Sequence, residues 1–348
     1  MKIIGCDFHP SYQQIAMVDT ETGELWEGRL EHERGEARRF YEALQGQPVR
    51  VGMEAVGNAQ WFERMLAALG QELWIGDAAQ IRQMVVRRQK TDRRDAQHIL
   101  QLLLDGRFPR LWVPSAAMRD VRQLLRHRQK LVELRTQVKN QLQHLALNQG
   151  VQRKRRLWSR EGRAVLEGLP LEGWTARRRA DLLAMLDRLE AQVKELDDAV
   201  CQEAWQRPAV RLLMSHPGVG PVTGLAYVLT IGPVARFSRG KQVASYLGLI
   251  PREHSSGGRQ KLGAISKQGN TMMRTLLVEA AQNAARLDQE LRRDYQRLKA
   301  RKHSALAKVM VARKLAVRMY WMLRENKPYT PRPVARMQGG PSHSVVAG

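Results

Sequence analysis

"KIIGCDF", Lys2–Phe8, is a short apolar run with one acid, Asp7, near its end. Its length and branched side chains suit a buried strand. "VRVGMEAV", Val49–Val56, repeats the design with the acid Glu54. Between them "QQIAMVDT" and "ELWEGRL" follow at strand length, joined by the turn "TETG". "AQWFERMLAALG" reads as an amphipathic helix closed by Gly70, and "QELWIGD" as a fifth strand. The order is three strands, a helix, a strand, a helix, a strand, then helix.

An antiparallel hairpin leading into parallel α/β units predicts a ribonuclease-H-like domain over residues 1–112. The overall class is α/β plus α. Residues 113–208 read as a helical coiled-coil domain. Leu124, Leu131, Val138 and Leu145 recur every seven residues, and Leu182, Leu186, Leu189, Val193, Leu196 and Val200 alternate in steps of four and three. Arg128 and Arg135 interrupt the companion seam of the first helix. Periodicity fits both an internal antiparallel hairpin and a dimerising coiled coil. Residues 209–330 read as a mainly helical C-terminal domain. Its "HPGVGPVTG" resembles a helix-hairpin-helix element, in which Gly218 and Gly220 can bring backbone N–H groups to a phosphate. Residues 331–348, rich in Pro, Gly and Ser, read as a mobile tail.

The chain has 348 residues, with 58 Lys and Arg against 34 Asp and Glu, a net charge of +24. Such a balance points to a polyanionic partner, nucleic acid first. No apolar run reaches membrane-spanning length and "MKIIGCDFHP" lacks a signal-peptide pattern, so a cytoplasmic protein is expected. Cys6 and Cys201, far apart, offer neither a disulfide framework nor a Cys-based zinc site.

"KTDRRDAQHIL", Lys90–Leu100, places Asp92 and Asp95 at i and i+3, on one helix face. Taken alone it reads as an ordinary solvated helix. In a ribonuclease-H-like sheet, however, the strands carrying Asp7 and Glu54 are neighbours, and a helix packed beside them would bring four carboxylates together. Such a set repels itself until a divalent cation is bound. Mg²⁺ suits oxygen ligands, and two ions could clamp both oxygens of a phosphodiester under attack. Arg87, Arg88, Lys90, Arg93 and Arg94 would hold the strand's phosphates. Cys6 and His9 read as packing residues, and His98 as a residue that could approach the site.

"PREHSSGGRQKLGAISKQGN", Pro251–Asn270, offers serines beside glycines that admit a phosphate. Arg259, Lys261 and Lys267 could neutralise charge developing on it. On local grounds the stretch also reads as a Ser/Gly-rich surface turn. The helix "RKHSALAKVMVARKLAVRM" carries Lys308, Arg313, Lys314 and Arg318 beside an apolar face, fitting packing plus a phosphate-facing or membrane-surface side. Aromatic residues are few, so stacking platforms for single strands are not evident.

Together, "GCDFH", "GMEAVG", "KTDRRDA" and "PGVG…GLIPREHSSGGRQKLGAISKQGN" resemble the DEDD transposases of the insertion-sequence 110 family, from Lys2 to about Leu323. The resemblance implies a RuvC-like domain, a coiled-coil insertion and a C-terminal transposase domain. It implies that Asp7, Glu54, Asp92 and Asp95 are the catalytic, metal-holding acids. It further implies a serine nucleophile that links covalently to DNA, matching Ser256, with Ser255 adjoining. It also implies a composite site between protomers, a dimer assembling to a tetramer, and a structured guide RNA, the bridge RNA, that pairs with donor and target DNA. No nucleotide cofactor is expected, since a serine ester conserves the phosphodiester's energy and no P-loop pattern occurs. The rival readings are a RuvC-like endonuclease that resolves branched DNA with water as nucleophile, and a non-catalytic nucleic-acid-binding scaffold.

Overall fold

The computed structural model describes residues 1–85, 91–152, 154–253 and 262–331. The chain divides after Pro114 into two compact units. The first runs β1 (Lys2–Phe8), β2 (Tyr12–Asp19), β3 (Leu25–Glu31), α1 (Glu36–Ala43), β4 (Val49–Glu54), α2 (Gln60–Ala68), β5 (Glu72–Gly76), α3 (Ala78–Gln83) and α4 (Asp92–Leu104). The sheet order is β3-β2-β1-β4-β5. β1 pairs antiparallel with β2 and β2 with β3, while β4 lies parallel to both β1 and β5. This mixed five-stranded sheet is the ribonuclease-H-like arrangement that the element order predicts.

Period-two alternation gives the sheet two apolar faces. Ile4, Cys6, Ile15, Val51 and Met53 pack with Tyr41 of α1 and Phe62 and Leu66 of α2. Ile3 and Ala16 pack on the opposite face against Ile99, Leu100 and Leu103 of α4. Each such buried aliphatic side chain contributes about 1.5–3 kcal/mol relative to exposure.

The second unit comprises α5 (Ala116–Asn148), α6 (Arg160–Glu167), α7 (Gly173–Trp205), α8 (Pro208–Met214), α9 (Pro221–Ile231), α10 (Gly240–Tyr246), β6 (Pro251–Glu253), β7 (Leu262–Ile265), α11 (Thr271–Leu287), α12 (Gln289–Arg301) and α13 (Ser304–Glu325). α5 and α7 pack against each other within the chain. Pairing of Arg128 with Asp197 and of Lys139 with Glu190 at 2.7 Å shows that they run antiparallel. Leu131, Val138, Leu142 and Leu145 meet Leu182, Leu186, Leu189 and Val193 in one core. A separate core joins α8, α9, α11 and α13 through Leu213, Leu225, Leu277 and Leu315. Among the described residues no helix is long and apolar enough to cross a membrane.

α8 and α9 are joined by a turn in which Gly218 has φ 90°. A Cβ there would stand 2.5 Å from the Ala284 backbone nitrogen, so this glycine lets the turn lie against α11. At Gly220, next to the start of α9, a Cβ would meet open space. The expected mobile tail, apart from Pro331, lies outside the described residues.

Candidate active site

The two strand acids reach one face for a simple reason. Cys6 lies opposite Met53 in the parallel β1–β4 ladder, so Asp7 and Glu54 come next in register at the strands' C-terminal ends. Cys6 and Met53 face α1 and α2. One residue on, Asp7 and Glu54 therefore point to the α4 side.

α4 completes the placement. Its Ala96, Ile99, Leu100 and Leu103 are buried against the sheet. Asp92 and Asp95 continue that stripe towards the helix N-terminus, where the dipole favours carboxylates. Thr91 caps the helix by accepting from the Arg94 backbone N–H at 3.4 Å. The helix can approach only because β1 has Gly5. A Cβ there would stand 2.2 Å from the Ala96 carbonyl oxygen and 2.4 Å from the Leu100 nitrogen. Gly52 on β4 makes similar room for the Leu103 side chain.

The resulting contacts are specific. His9 Nε2 lies 3.0 Å from Asp7 Oδ2 and 3.8 Å from Asp92 Oδ2. Tyr12 donates its hydroxyl to Asp92 Oδ2 at 2.7 Å. The Tyr12 ring stacks on His9 with centroids 4.6 Å apart, and the Arg29 guanidinium lies 3.6 Å from the Tyr12 centroid. Ligand atoms of Asp7, His9 and Asp92 all fall within 4.8 Å of one another. Burial pushes the Asp7 carboxyl above the ordinary carboxylate value. The His9 hydrogen bond and charge oppose that push, while the charges of Asp95 and Asp92 add to it. The Tyr12 phenol is raised too, first by its hydrogen bond to Asp92.

Asp7 and Asp92 are thus together, and Asp95 acts on Asp7 through its charge. Glu54 stands beside Asp7 in register, with Arg82 of α3 3.8 Å from its carboxylate. Two carboxylates and an imidazole converging on one point, with the charge of a third carboxylate, Asp95, acting on Asp7, fit a divalent cation. His9 corrects the sequence reading: besides packing on Tyr12 it is a polar member of the cluster. The signal was available, since residues 7 and 9 share a face by strand periodicity. Tyr12 was missed because nothing local distinguishes it. His98 instead has Nε2 3.2 Å from the Ile81 carbonyl, and Cys6 is buried as expected.

The basic residues divide. Arg93 pairs with Glu27 of β3, to which Gln97 also donates. Arg94 is exposed. Lys267 adopts a left-handed backbone, φ 56°, just before α11, and its N–H donates to the Gly248 carbonyl at 3.2 Å. Arg87, Arg88 and Lys90, and Ser255, Ser256, Arg259 and Lys261, lie outside the described residues.

With the acids on the sheet's α4 face, comparison with known proteins becomes decisive. Residues 4–149 match the DEDD transposase family model of the IS110 type, and residues 210–296 match the model described as "Transposase IS116/IS110/IS902 family". The chain belongs to the IS110 family of insertion-sequence transposases. This transposase is 30% identical over 293 residues to a probable family 20 transposase of Pseudomonas aeruginosa, covering 81% of this chain and 84% of the relative. It is 29% identical over 294 residues to the transposase for insertion sequence element IS1111A of Coxiella burnetii, covering 81% and 77%. It is also 31% identical over 127 residues to a pilin gene-inverting protein of Moraxella lacunata, covering 35% and 38%. The IS110-family transposase is accordingly a DNA-recombining enzyme, and DNA is its substrate. The first matched segment contains all of the five-stranded sheet but the first two residues of β1, and α4. The second contains most of α8 and everything described up to α12's middle.

Proposed function

We propose that this transposase cuts and rejoins DNA through a covalent serine intermediate, with Ser256 as nucleophile and Asp7, Glu54, Asp92 and Asp95 as the acids that hold Mg²⁺. The observation that carries the reading is the convergence of Asp7 and Asp92, from the end of a strand and the start of a helix, within 4.8 Å of each other and of His9. Bound there, the cation would supply Lewis-acid stabilisation of charge on the phosphate. The protein's own residues do the rest. Asp7 and Asp92 present ligand oxygens, held by His9 and Tyr12. Ser256 Oγ bonds to phosphorus as one P–O ester bond of the strand breaks, the serine proton passing to a base and the leaving oxygen gaining one. Attack by a DNA hydroxyl on the serine ester reverses the exchange, so rejoining needs no external energy source.

Further parts of the reading follow from the family. A three-part chain is proposed, with a RuvC-like domain to about residue 112, a coiled-coil domain to about 208 and a C-terminal transposase domain beyond. The α8–α9 turn would serve as a helix-hairpin-helix contact to phosphate, with Gly220 on its open side. A bridge RNA would pair with donor and target DNA, and dimers would assemble into tetramers to complete a site between protomers. The relative named for inverting a pilin gene supports cut-and-rejoin chemistry, because inversion of a segment requires both steps.

The test is direct. The protein is incubated with Mg²⁺, the element's non-coding RNA, and donor and target DNA, and a protein–DNA adduct is sought and mapped by mass spectrometry. An adduct on Ser256, lost in Ser256→Ala, supports the proposal. Free ends without an adduct, or full activity of Ser256→Ala, would assign the chemistry to water instead.

A further inference from the structure

From Arg286 to Lys314 the chain carries ten lysines and arginines against three acids. All three acids are engaged. Asp288 accepts from the Tyr329 hydroxyl and pairs with Arg318 at 3.5 Å. Glu290 pairs with Arg318 at 2.9 Å. Asp294 pairs with Lys314 and, at 3.0 Å, with Arg297. Two members of the basic face expected on α13, Lys314 and Arg318, are therefore committed to holding helices together.

The remaining cations are not spread evenly. A cavity of about 390 Å³ between α11, α12 and α13 is lined by Arg286, Arg292 and Lys308, with Gln282, Gln296 and Tyr295 between them. No acid lines it. Ala281 and Ala285 form part of its wall, and their small side chains leave it depth. Every polar side chain facing the cavity can donate a hydrogen bond.

Two of the cations have a local explanation. Arg286 sits in the last turn of α11, and Arg292 donates to the Arg286 carbonyl, so both complement the negative end of that helix. Lys308 has no such explanation. It lies half-buried in the second turn of α13, remote from that helix's C-terminus, and lines the same cavity as the two guanidinium groups. An anion in the cleft offsets their mutual repulsion. The wider neighbouring cleft, of about 730 Å³, does not call for one. Glu290 and Glu325 line it, and of its five cations Arg297, Lys314 and Arg318 are already paired with Asp294, Asp288 or Glu290.

We propose that the α11–α12–α13 cleft binds a phosphate of the nucleic-acid backbone, with Lys308, Arg292 and Arg286 as its cations. Tyr295 is half-buried, so the cleft offers no exposed platform for a stacked base. The contact is with the phosphodiester and independent of base sequence. The site consists wholly of C-terminal residues and requires neither Ser256 nor the carboxylate cluster.

The test is the salt dependence of binding. Full-length protein and the variants Lys308→Ala and Arg292→Ala are titrated against a labelled DNA duplex by fluorescence anisotropy over a range of KCl. Each variant should bind several-fold more weakly at physiological salt, equally for unrelated sequences. The slope of log affinity against log salt should fall by about 0.9 for each phosphate no longer neutralised. Lys308→Arg should restore both. Arg188→Ala and Lys194→Ala, exposed on α7, serve as charge-matched controls and should leave the slope unchanged. An unchanged slope in Lys308→Ala, or an equal loss in the controls, would overturn the proposal. So would variants that lose binding to phosphatidylserine vesicles while DNA binding stays intact. Thermal melts confirm that each variant is folded.

Discussion

Asp7 sits where its own charge is unwelcome. Its carboxyl is half-buried and near Asp95 and Asp92, with His9 in opposition among the described residues. A carboxyl raised in the folded state is favoured in its protonated form. Its contribution to stability is therefore full below the unfolded value of 3.8 and is lost as pH rises through the folded value. At neutral pH the metal-free protein bears that cost. Asp7→Asn should raise the melting temperature of the metal-free protein at pH 7, by on the order of a few degrees, while abolishing strand cutting. Differential scanning fluorimetry with and without divalent cation checks both halves: added cation should stabilise the wild type and not the variant. Tyr12 acts one contact further out. Removing its hydroxyl in Tyr12→Phe frees Asp92 Oδ2 and should weaken divalent-cation binding about 10-fold, measured by calorimetry, with the fold unchanged.

At the scale of elements, the site depends on how closely α4 lies on the sheet. Gly5→Ala would place a Cβ against the backbone of Ala96 and Leu100, which cannot rotate away. The helix must shift, at a cost of about 1–3 kcal/mol in chemical denaturation, and Asp92 and Asp95 move with it. Activity should fall further than stability accounts for, and excess Mg²⁺ should not restore it. In the second unit, the α8–α9 turn is fastened by His216. This side chain is buried, faces Arg318, Asp288 and Glu290, and packs on Tyr329 with ring centroids 4.2 Å apart. Burial chiefly lowers its proton affinity from the ordinary 6.5. The unfolded chain then takes up a proton that the folded chain resists. This contribution to stability is full above about pH 6.5 and is lost as pH falls below it. Thermal melts between pH 7.5 and 5 should show that decline, and His216→Gln should flatten it.

For the whole molecule, charge and chemistry are separable. A net charge of +24 supports attraction to nucleic acid, while the carboxylate cluster occupies one sheet face. Chelation of divalent cations with EDTA should therefore abolish adduct formation yet leave DNA binding largely intact at low salt, as read by gel shift. Simultaneous loss of both would tie the metal to DNA capture. The fold itself was widely legible in the chain. Apolar runs of strand length, each bounded by turn residues, marked β1 to β5, and two heptad seams marked α5 and α7. The cluster was only partly legible. Asp7, Glu54, Asp92 and Asp95 stood out as acids in apolar or basic surroundings. His9 did not, because a histidine beside a strand end is ambiguous without its neighbour across the sheet. The pairing of Arg93 was not legible for the same reason, since its partner Glu27 lies 66 residues earlier.

By itself the sequence determined which residues alternate, which turns close and which acids exist, because these follow from periodicity and local backbone preference. It also carried the family, since the motif blocks lie at both ends of the chain. Only the tertiary structure decided that α4 rests on Gly5, that Asp7 meets His9 and Asp92 while Glu54 turns towards Arg82, and that Lys314 and Arg318 are held in internal ion pairs while Lys308 faces a cleft. Those outcomes depend on distances between elements far apart in the chain, and a substitution as small as one methyl group at Gly5 separates a packed helix from a displaced one.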